Sequence, residues 1–333
     1  MTEVSIRPDL ILVPRTDTPM DRSIEKKRIR KHSVLRVIRD FGPLSRADIA
    51  KLIGYNLPSV TFLVDELVDA GLVIQGEAKK TARGRRPIPC TLNARAAMVL
   101  GIDVGPEKVT CIYADLNGEV LVRESHPRPS GSGEGFGNAI CEIAQKAASS
   151  YKGEEEIPPL SGIGLGISGE SGNAVRVALG RSFGVPVLHE TRARVMALGS
   201  LWFGAAKSYQ TFIYADTDGE AEAVLVINKR IYKGVSGGAG TLDGAANPKE
   251  LAKSIAQLIP LFDPEAIIFS ASKNENLDES IKELHGQLKK LKLQDSIEVA
   301  TCDLGPESGP VGSMATVLNH IFSTAHIDVE QIL

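Results

Sequence analysis

The sequence predicts an α/β protein in two unequal parts, a small basic helical head and a larger body of two similar halves. Three observations carry that prediction. Between Leu44 and Pro87 two short amphipathic helical patterns meet at Gly54 and run into an arginine-rich ribbon. From Met98 onward, apolar strand-like runs alternate with helical patterns, which is how an α/β body reads. Charge is divided the same way: 15 Lys/Arg stand against 7 Asp/Glu between Arg22 and Ile88, but 21 against 30 from Pro89 onward, within a net charge of −3. A basic module on an acidic body attracts phosphate at one end and avoids it at the other.

The chain opens with residues 1–21, which mix prolines, charges and the short apolar run Leu10–Val13. They are expected to form a disordered tail. A first helix follows from about Arg22 to Asp40, and its Lys26, Lys27, Arg28, Arg30 and Lys31 are candidates for backbone-phosphate contacts that position without specifying. Ser45 with Asp48 three residues on makes a capping-box start, Ile49, Leu52 and Ile53 share one face, and Gly54 stops the helix. Asn56 opens the next helix as N-cap with Pro58 tolerated in its first turn, and Val60, Leu63, Val64 and Leu67 form its buried stripe. Two short helices joined at a glycine fit a helix–turn–helix whose second member enters a major groove. On it, Asn56, Leu57, Pro58, Ser59, Thr61 and Phe62 are candidate groove residues, with Leu57 or Phe62 suited to a thymine methyl.

After Gly71 a brief strand at Leu72–Ile74 leads into Lys79, Lys80, Arg83, Arg85 and Arg86. This resembles the hairpin wing of a winged helix, and Arg83-Gly84-Arg85-Arg86-Pro87 is similar to ribbons that enter narrow A·T-rich minor grooves. A solvated basic linker is the alternative.

The four cysteines, Cys90, Cys111, Cys141 and Cys302, form no CxxC pair, so neither a zinc site nor a secreted disulfide framework is expected. With no signal peptide and no spanning apolar run, the expected location is a reducing cytoplasm, with the thiols buried as small hydrophobes. In the body, 98–122 reads as two strands with a turn at Asn117-Gly118, Gly131–Gly135 as a flexible connection, and 136–151 as a helix. Strands are then expected at LSGIGLGIS and PVLH, a helix from Thr191 to Phe203, strands at TFIYAD and EAVLVINKRIYK, and a glycine run GVSGGAG. Helices near 248–260, 276–289 and 311–324 enclose strands AIIFSAS and SIEVAT.

At these residues the chain resembles the ROK family of repressors and sugar kinases, over about residues 28–324. GIDVG (Gly101–Gly105) is similar to the family's first phosphate loop, and GIGLGIS to the strand leading to its sugar loop. PVLHETRARVMALGSLWFG resembles its central segment, and KGVSGGAG its second glycine loop. The resemblance implies a winged helix–turn–helix on a two-lobed actin-like ATPase (ribonuclease H-like) body. The expected division is 1–21 tail, 22–90 head with basic wing, 91–188 first lobe, 189–310 second lobe and 311–333 a C-terminal helix returning to the first lobe.

The departures shape the expected function. Where the family carries NDAN, with its catalytic aspartate and sugar-binding asparagine, this chain reads Thr191-Arg192-Ala193-Arg194, and an arginine cannot take a proton from a sugar hydroxyl. Glu190 is a substitute base displaced by one position. Thr241-Leu242-Asp243-Gly244 replaces the family's EIGH, the cysteine-rich zinc loop is missing, and FSAS stands where paired glycines admit nucleotide. Glu107 stands at the threonine-like position of the phosphate loop, where a carboxylate repels phosphate. Asp103, Glu190, Thr191, Arg192 and Arg194 are candidates for an effector site, the arginines serving either an anionic ligand or an internal ion pair.

The expectation is a sequence-specific transcriptional regulator, a repressor, binding an inverted repeat of double-stranded DNA as a homodimer. No catalysis, cofactor, metal or membrane is expected, and a small-molecule effector is left open. The rival readings are a sugar kinase with a DNA-binding appendage and a nonspecific DNA-binding protein.

Overall fold

The computed structural model describes residues 22–76, 80–81, 84–85, 88–151, 157–216, 222–240, 248–270, 276–293 and 295–322. The head begins with α1 (Arg22–Phe41), β1 (Leu44–Ser45), α2 (Arg46–Ile53) and α3 (Leu57–Asp69). The local chemistry sets these boundaries. Ser45 and Asp48 make a reciprocal capping box on α2, whose end is the left-handed Gly54 at φ 69°. Asn56 caps α3, its side chain accepting from the Ser59 amide at 2.9 Å, with a proline in the first turn.

The strands β2 (Val73–Gln75) and β5 (Pro89–Leu92) flank the wing, and β1 and β2 both pair with β5 in a three-stranded antiparallel sheet. Between them β3 (Lys80–Thr81) and β4 (Gly84–Arg85) pair as a hairpin. The sequence reading missed β1 and β5, because each is fixed by a partner tens of residues away. The head's sheet therefore reaches Leu92.

The body contains two five-stranded sheets of one topology. In the first, β6 (Met98–Val104), β7 (Lys108–Asp115) and β8 (Val120–Pro127) are an antiparallel meander. Beyond β6, β9 (Leu160–Ile167) and β10 (Val187–Glu190) add in parallel. The second repeats the plan: β11 (Phe212–Asp216), β12 (Glu222–Ile227) and β13 (Arg230–Ile231) run antiparallel, and β14 (Ala266–Phe269) and β15 (Glu298–Thr301) add in parallel. Asn228 and Lys229, at φ 51° and 58°, form the β12–β13 turn.

The helices are α4 (Gly133–Ala148), α5 (Gly172–Phe183), α6 (Arg192–Phe203), α7 (Pro248–Phe262), α8 (Asn276–Leu291) and α9 (Ser308–Phe322). Two expectations are corrected. The Gly131–Gly135 connection gives way to helix at Gly133, and α5 lies between the LSGIGLGIS and PVLH strands, where no element is expected. In α5, Val175, Leu179 and Phe183 recur at helical spacing and Gly184 caps the end at φ 66°.

Helices α6 and α9 are the centre of the molecule. Residues Ala193–Leu201 of α6 are buried without interruption, as befits a helix enclosed on all sides. The two helices cross with their backbones touching: a Cβ added at Gly312 would lie 1.8 Å from the Val195 carbonyl oxygen. On its other side α9 lies on the first sheet, where a Cβ at Gly164 would lie 1.8 Å from the Ser313 carbonyl oxygen.

The head has no core of its own. Val34 and Ile38 of α1, Ile49 of α2 and Val64 of α3 belong to one buried cluster with Val99, Ile112, Val317, Leu318, Ile321 and Phe322 of the body. Burial of such side chains stabilises by about 1.5–3 kcal/mol each, so this joint is a packed interior. Two polar contacts pin it. The His32 Nδ1 is hydrogen-bonded to the Ile321 carbonyl near the end of α9. The Arg39 guanidinium sits 4.0 Å from the Trp202 ring centroid and 4.7 Å from that of Phe322. A desolvated cation–π contact is worth up to about 2 kcal/mol. All four cysteines are buried and free, and burial pushes the Cys111 thiol up to about 12 and that of Cys141 up to about 11, leaving both protonated at neutral pH.

Candidate nucleic-acid interface and the cleft of the body

On α3 the buried stripe is Val60, Leu63, Val64 and Leu67, as the periodicity predicts. Pro58 and Phe62 (55 % exposed) face away from that stripe, Leu57 (48 % exposed) is left open at the N-terminal end of the helix, and Ser59 and Thr61 are half-buried. Leu57 and Phe62 thus leave apolar surface open to a partner at the start of the helix. Asn56 precedes the helix, with its Oδ1 already engaged by the cap. Lys80 and Arg85 stand opposite each other across the β3–β4 hairpin, so Arg85 belongs to a paired strand. Lys79, Arg83 and Arg86 fall outside the described residues, as do the residues 1–21 and Thr241–Gly244.

The basic face of α1 is partly committed to α3. Lys27 and Lys31 reach the two carboxylate oxygens of Glu66 at 2.6 and 3.0 Å, and the Lys27 ammonium lies 4.9 Å from the Phe62 centroid. Burial raises the Glu66 carboxyl, but the two lysines outweigh it and hold it below its ordinary range. Arg46 pairs with Asp65 at 2.5 Å, and Arg30 stacks 5.5 Å from Tyr55. These exposed pairs orient the second half of α3 against α1 and contribute little stability each.

The second constellation gathers around the first turn of α6, between the two sheets. There the structure brings together all five residues that the sequence nominated. Arg192 makes a two-pronged ion pair with Asp103 at the end of β6, with Nε 2.9 Å from Oδ1 and Nη2 3.4 Å from Oδ2, the side chains being 14 % and 6 % exposed. Arg194 turns to the other lobe, donating to the carbonyls of Gly237 and, at 3.1 Å, Ala239 in the glycine run. Its Nη1 lies 3.6 Å from Glu190, which also receives Lys233. Thr191 donates to Glu222 Oε1 at 2.8 Å. Burial raises the Glu222 carboxyl, Thr191 and Arg194 pull it back, and Glu190 adds to the rise, leaving it above its ordinary value.

Glu222 and Lys233 were not foreseen. Neither carries a local pattern, and each is placed by the sheet rather than by its neighbours in sequence. Chemically this cluster is a set of side chains satisfying one another: Glu190, the candidate base, lies between two cations. Among the described residues no three His, Cys, Asp or Glu side chains gather as a metal site, and no helix is long and apolar enough to cross a membrane.

Comparison with known proteins follows the same division. Residues 28–84 match the MarR family model. The chain is 29 % identical over 231 residues to the xylose repressor of Caldicellulosiruptor bescii, covering 64 % of this chain and 57 % of that protein. It thus spans little more than half the length of that relative. Among solved structures it is similar to a ROK family transcriptional regulator, a homologue of the Escherichia coli MLC protein. There the TM-score is 0.70 at 17 % identity, over 90 % of this chain and 98 % of the other. The fold is the one these ROK structures share. The head is a winged helix of the MarR type, and the body has the fold of the sugar kinases. The fold of that body is similar to a ROK glucokinase from Streptomyces griseus, with a TM-score of 0.53 at 16 % identity over 66 % of this chain and 99 % of that one. Since kinases and regulators share the fold, its chemistry is decided by the side chains in the cleft.

Proposed function

We propose that this protein is a member of the ROK family and a sequence-specific DNA-binding transcriptional repressor that acts as a homodimer on an inverted repeat, with a body that transfers no phosphate. The observation that carries the reading is the capped α3 with its exposed Leu57, Pro58 and Phe62, mounted on a basic head. Ser59 and Thr61 read base edges in the major groove, Leu57 or Phe62 meets a thymine methyl, and Asn56 orders the first turn through its cap. Lys79, Lys80, Arg83, Arg85 and Arg86 of the wing supply the phosphate and minor-groove contacts. Repressor relatives support the same reading.

The proposal of a silent body rests on the cleft. A sugar kinase needs a base free to accept the hydroxyl proton. Here a guanidinium lies on Asp103 and two cations flank Glu190. If an effector enters, Asp103, Glu190, Thr191, Arg192 and Arg194 are the groups it must displace from one another. The location expected of such a repressor is the cytoplasm.

Two assays on one preparation test the reading. Duplex DNA binding is expected to weaken steeply with salt, with a slope of log affinity against log salt of roughly −0.9 for each phosphate neutralised. Incubation with ATP and hexoses is expected to release no ADP above the sugar-free background. Turnover of any hexose, or a failure to bind duplex DNA at low salt, would overturn it.

A further inference from the structure

One helix links the cleft constellation to the head. The N-cap and first turn of α6 carry Thr191, Arg192 and Arg194, which grip the first lobe at Asp103 and the second at Glu222, Gly237 and Ala239. Ten residues on, about 15 Å along the helix at 1.5 Å per residue, its last turn carries Trp202, on which Arg39 of the head is stacked. Between these ends α6 has little freedom to bend or slide. It is buried throughout Ala193–Leu201, and the Gly199–Gly312 crossing locks it to α9. The far end of α9 holds the head as well, through Ile321 to His32 and Phe322 to Arg39.

We propose that α6 is a rigid tie between the cleft and the head: Arg192 and Arg194 fix its first turn with the protein's own carboxylate and carbonyls in the place of a ligand, and Trp202 fixes the head through Arg39. Arg39 is then a positioning residue for DNA reading. It sits on α1, whose Lys27 and Lys31 hold α3 through Glu66, so the order runs from the cleft through α6 to Arg39, α1 and α3. The cleft thereby sets the angle of the recognition helix without any ligand, and whatever parts Arg192 from Asp103 releases it. The DNA half of this inference rests on the repressor reading; the mechanical half does not.

Trp202 is the protein's single tryptophan, so its fluorescence reports the joint directly. The test compares acrylamide quenching of Trp202 and affinity for duplex DNA in the full chain. The variants are Asp103→Asn/Arg192→Gln, which removes the pair without leaving one charge unmatched, Arg192→Lys, which keeps the charge but loses the fork, and Arg39→Ala. Circular dichroism reports folding. Arg39→Ala is expected to change the quenching at the joint itself. The cleft variants are expected to change it from the other end of the helix and to weaken DNA binding by roughly 2- to 30-fold, the span seen for couplings of this kind. Folded cleft variants with wild-type quenching and wild-type DNA affinity would overturn the proposal, and so would unchanged quenching in Arg39→Ala. If the double variant does not fold, Arg192→Lys decides alone, by the same two readouts. Wild-type protein that binds no DNA would sink the repressor reading, while the quenching would still test the tie.

Discussion

Replacing Gly312 by valine is expected to be among the most damaging single changes this protein can suffer. Gly312 lies where α9 crosses α6, and a Cβ there would stand 1.8 Å from the Val195 carbonyl oxygen and 2.3 Å from its carbon. Both obstacles are backbone of a helix enclosed on every side, so no side chain can swing away to make room. The helices must separate, and the lobes and the head all pack on that pair. Overpacking a tight interior costs about 1–3 kcal/mol where side chains can adjust, so a cost of at least about 3 kcal/mol is expected here. Thermal unfolding followed by circular dichroism measures it. Gly286→Ala is the control, since a Cβ at that helical position meets nothing within 4 Å and should stabilise slightly by helix propensity. A Gly312→Val protein that melts with wild type would mean that the crossing is not close.

Arg192→Ala is the second large effect. It takes the guanidinium from a carboxylate that is only 6 % exposed. Breaking a buried pair by removing one partner costs about 3–5 kcal/mol, because the remaining charge stays out of water. Adding Asp103→Asn to the same chain removes that charge and is expected to return most of the loss. The two substitutions must therefore be strongly non-additive in denaturant unfolding. Additive costs would show that the two side chains do not depend on each other.

What the sequence makes legible, and what it does not, follows the range of the forces. The head's two helices are readable because their signals are local: Ser45 and Asp48 bond across three residues, Gly54 turns left-handed, and Asn56 caps Ser59. Most helices and strands of the body are readable from periodicity for the same reason. Helix α5 was missed although Val175, Leu179 and Phe183 mark its buried face, because Gly172 and Gly180 within it imitate loop chemistry. The strands β1 and β5 have no local signal, being too short and paired across more than forty residues.

In the cleft, family likeness singled out Asp103, Glu190, Thr191, Arg192 and Arg194, but the choice between internal pairing and ligand binding was open. Asp103 and Arg192 stand 89 residues apart, and only the fold brings guanidinium to carboxylate. Nothing in sequence pointed to Glu222 or Lys233. The shared core of head and body was invisible too, since an apolar helix such as α9 shows that it is enclosed but not by what. The division of the chain into a head ending at residue 90 and separate lobes is a description of chain order; in packing, head, α6 and α9 are continuous.

The central claim is that the head reads DNA sequence, and selection of bound duplexes from a random pool at two salt concentrations tests it most directly. The account predicts recovery of an inverted repeat with half-sites about one or two helical turns apart and A·T-rich flanks where the wing lies. That motif should persist at the higher salt, because base contacts survive where phosphate contacts are screened. Recovery of no motif, with retention that collapses as salt rises, would contradict it and reduce the head to a general anchor on DNA.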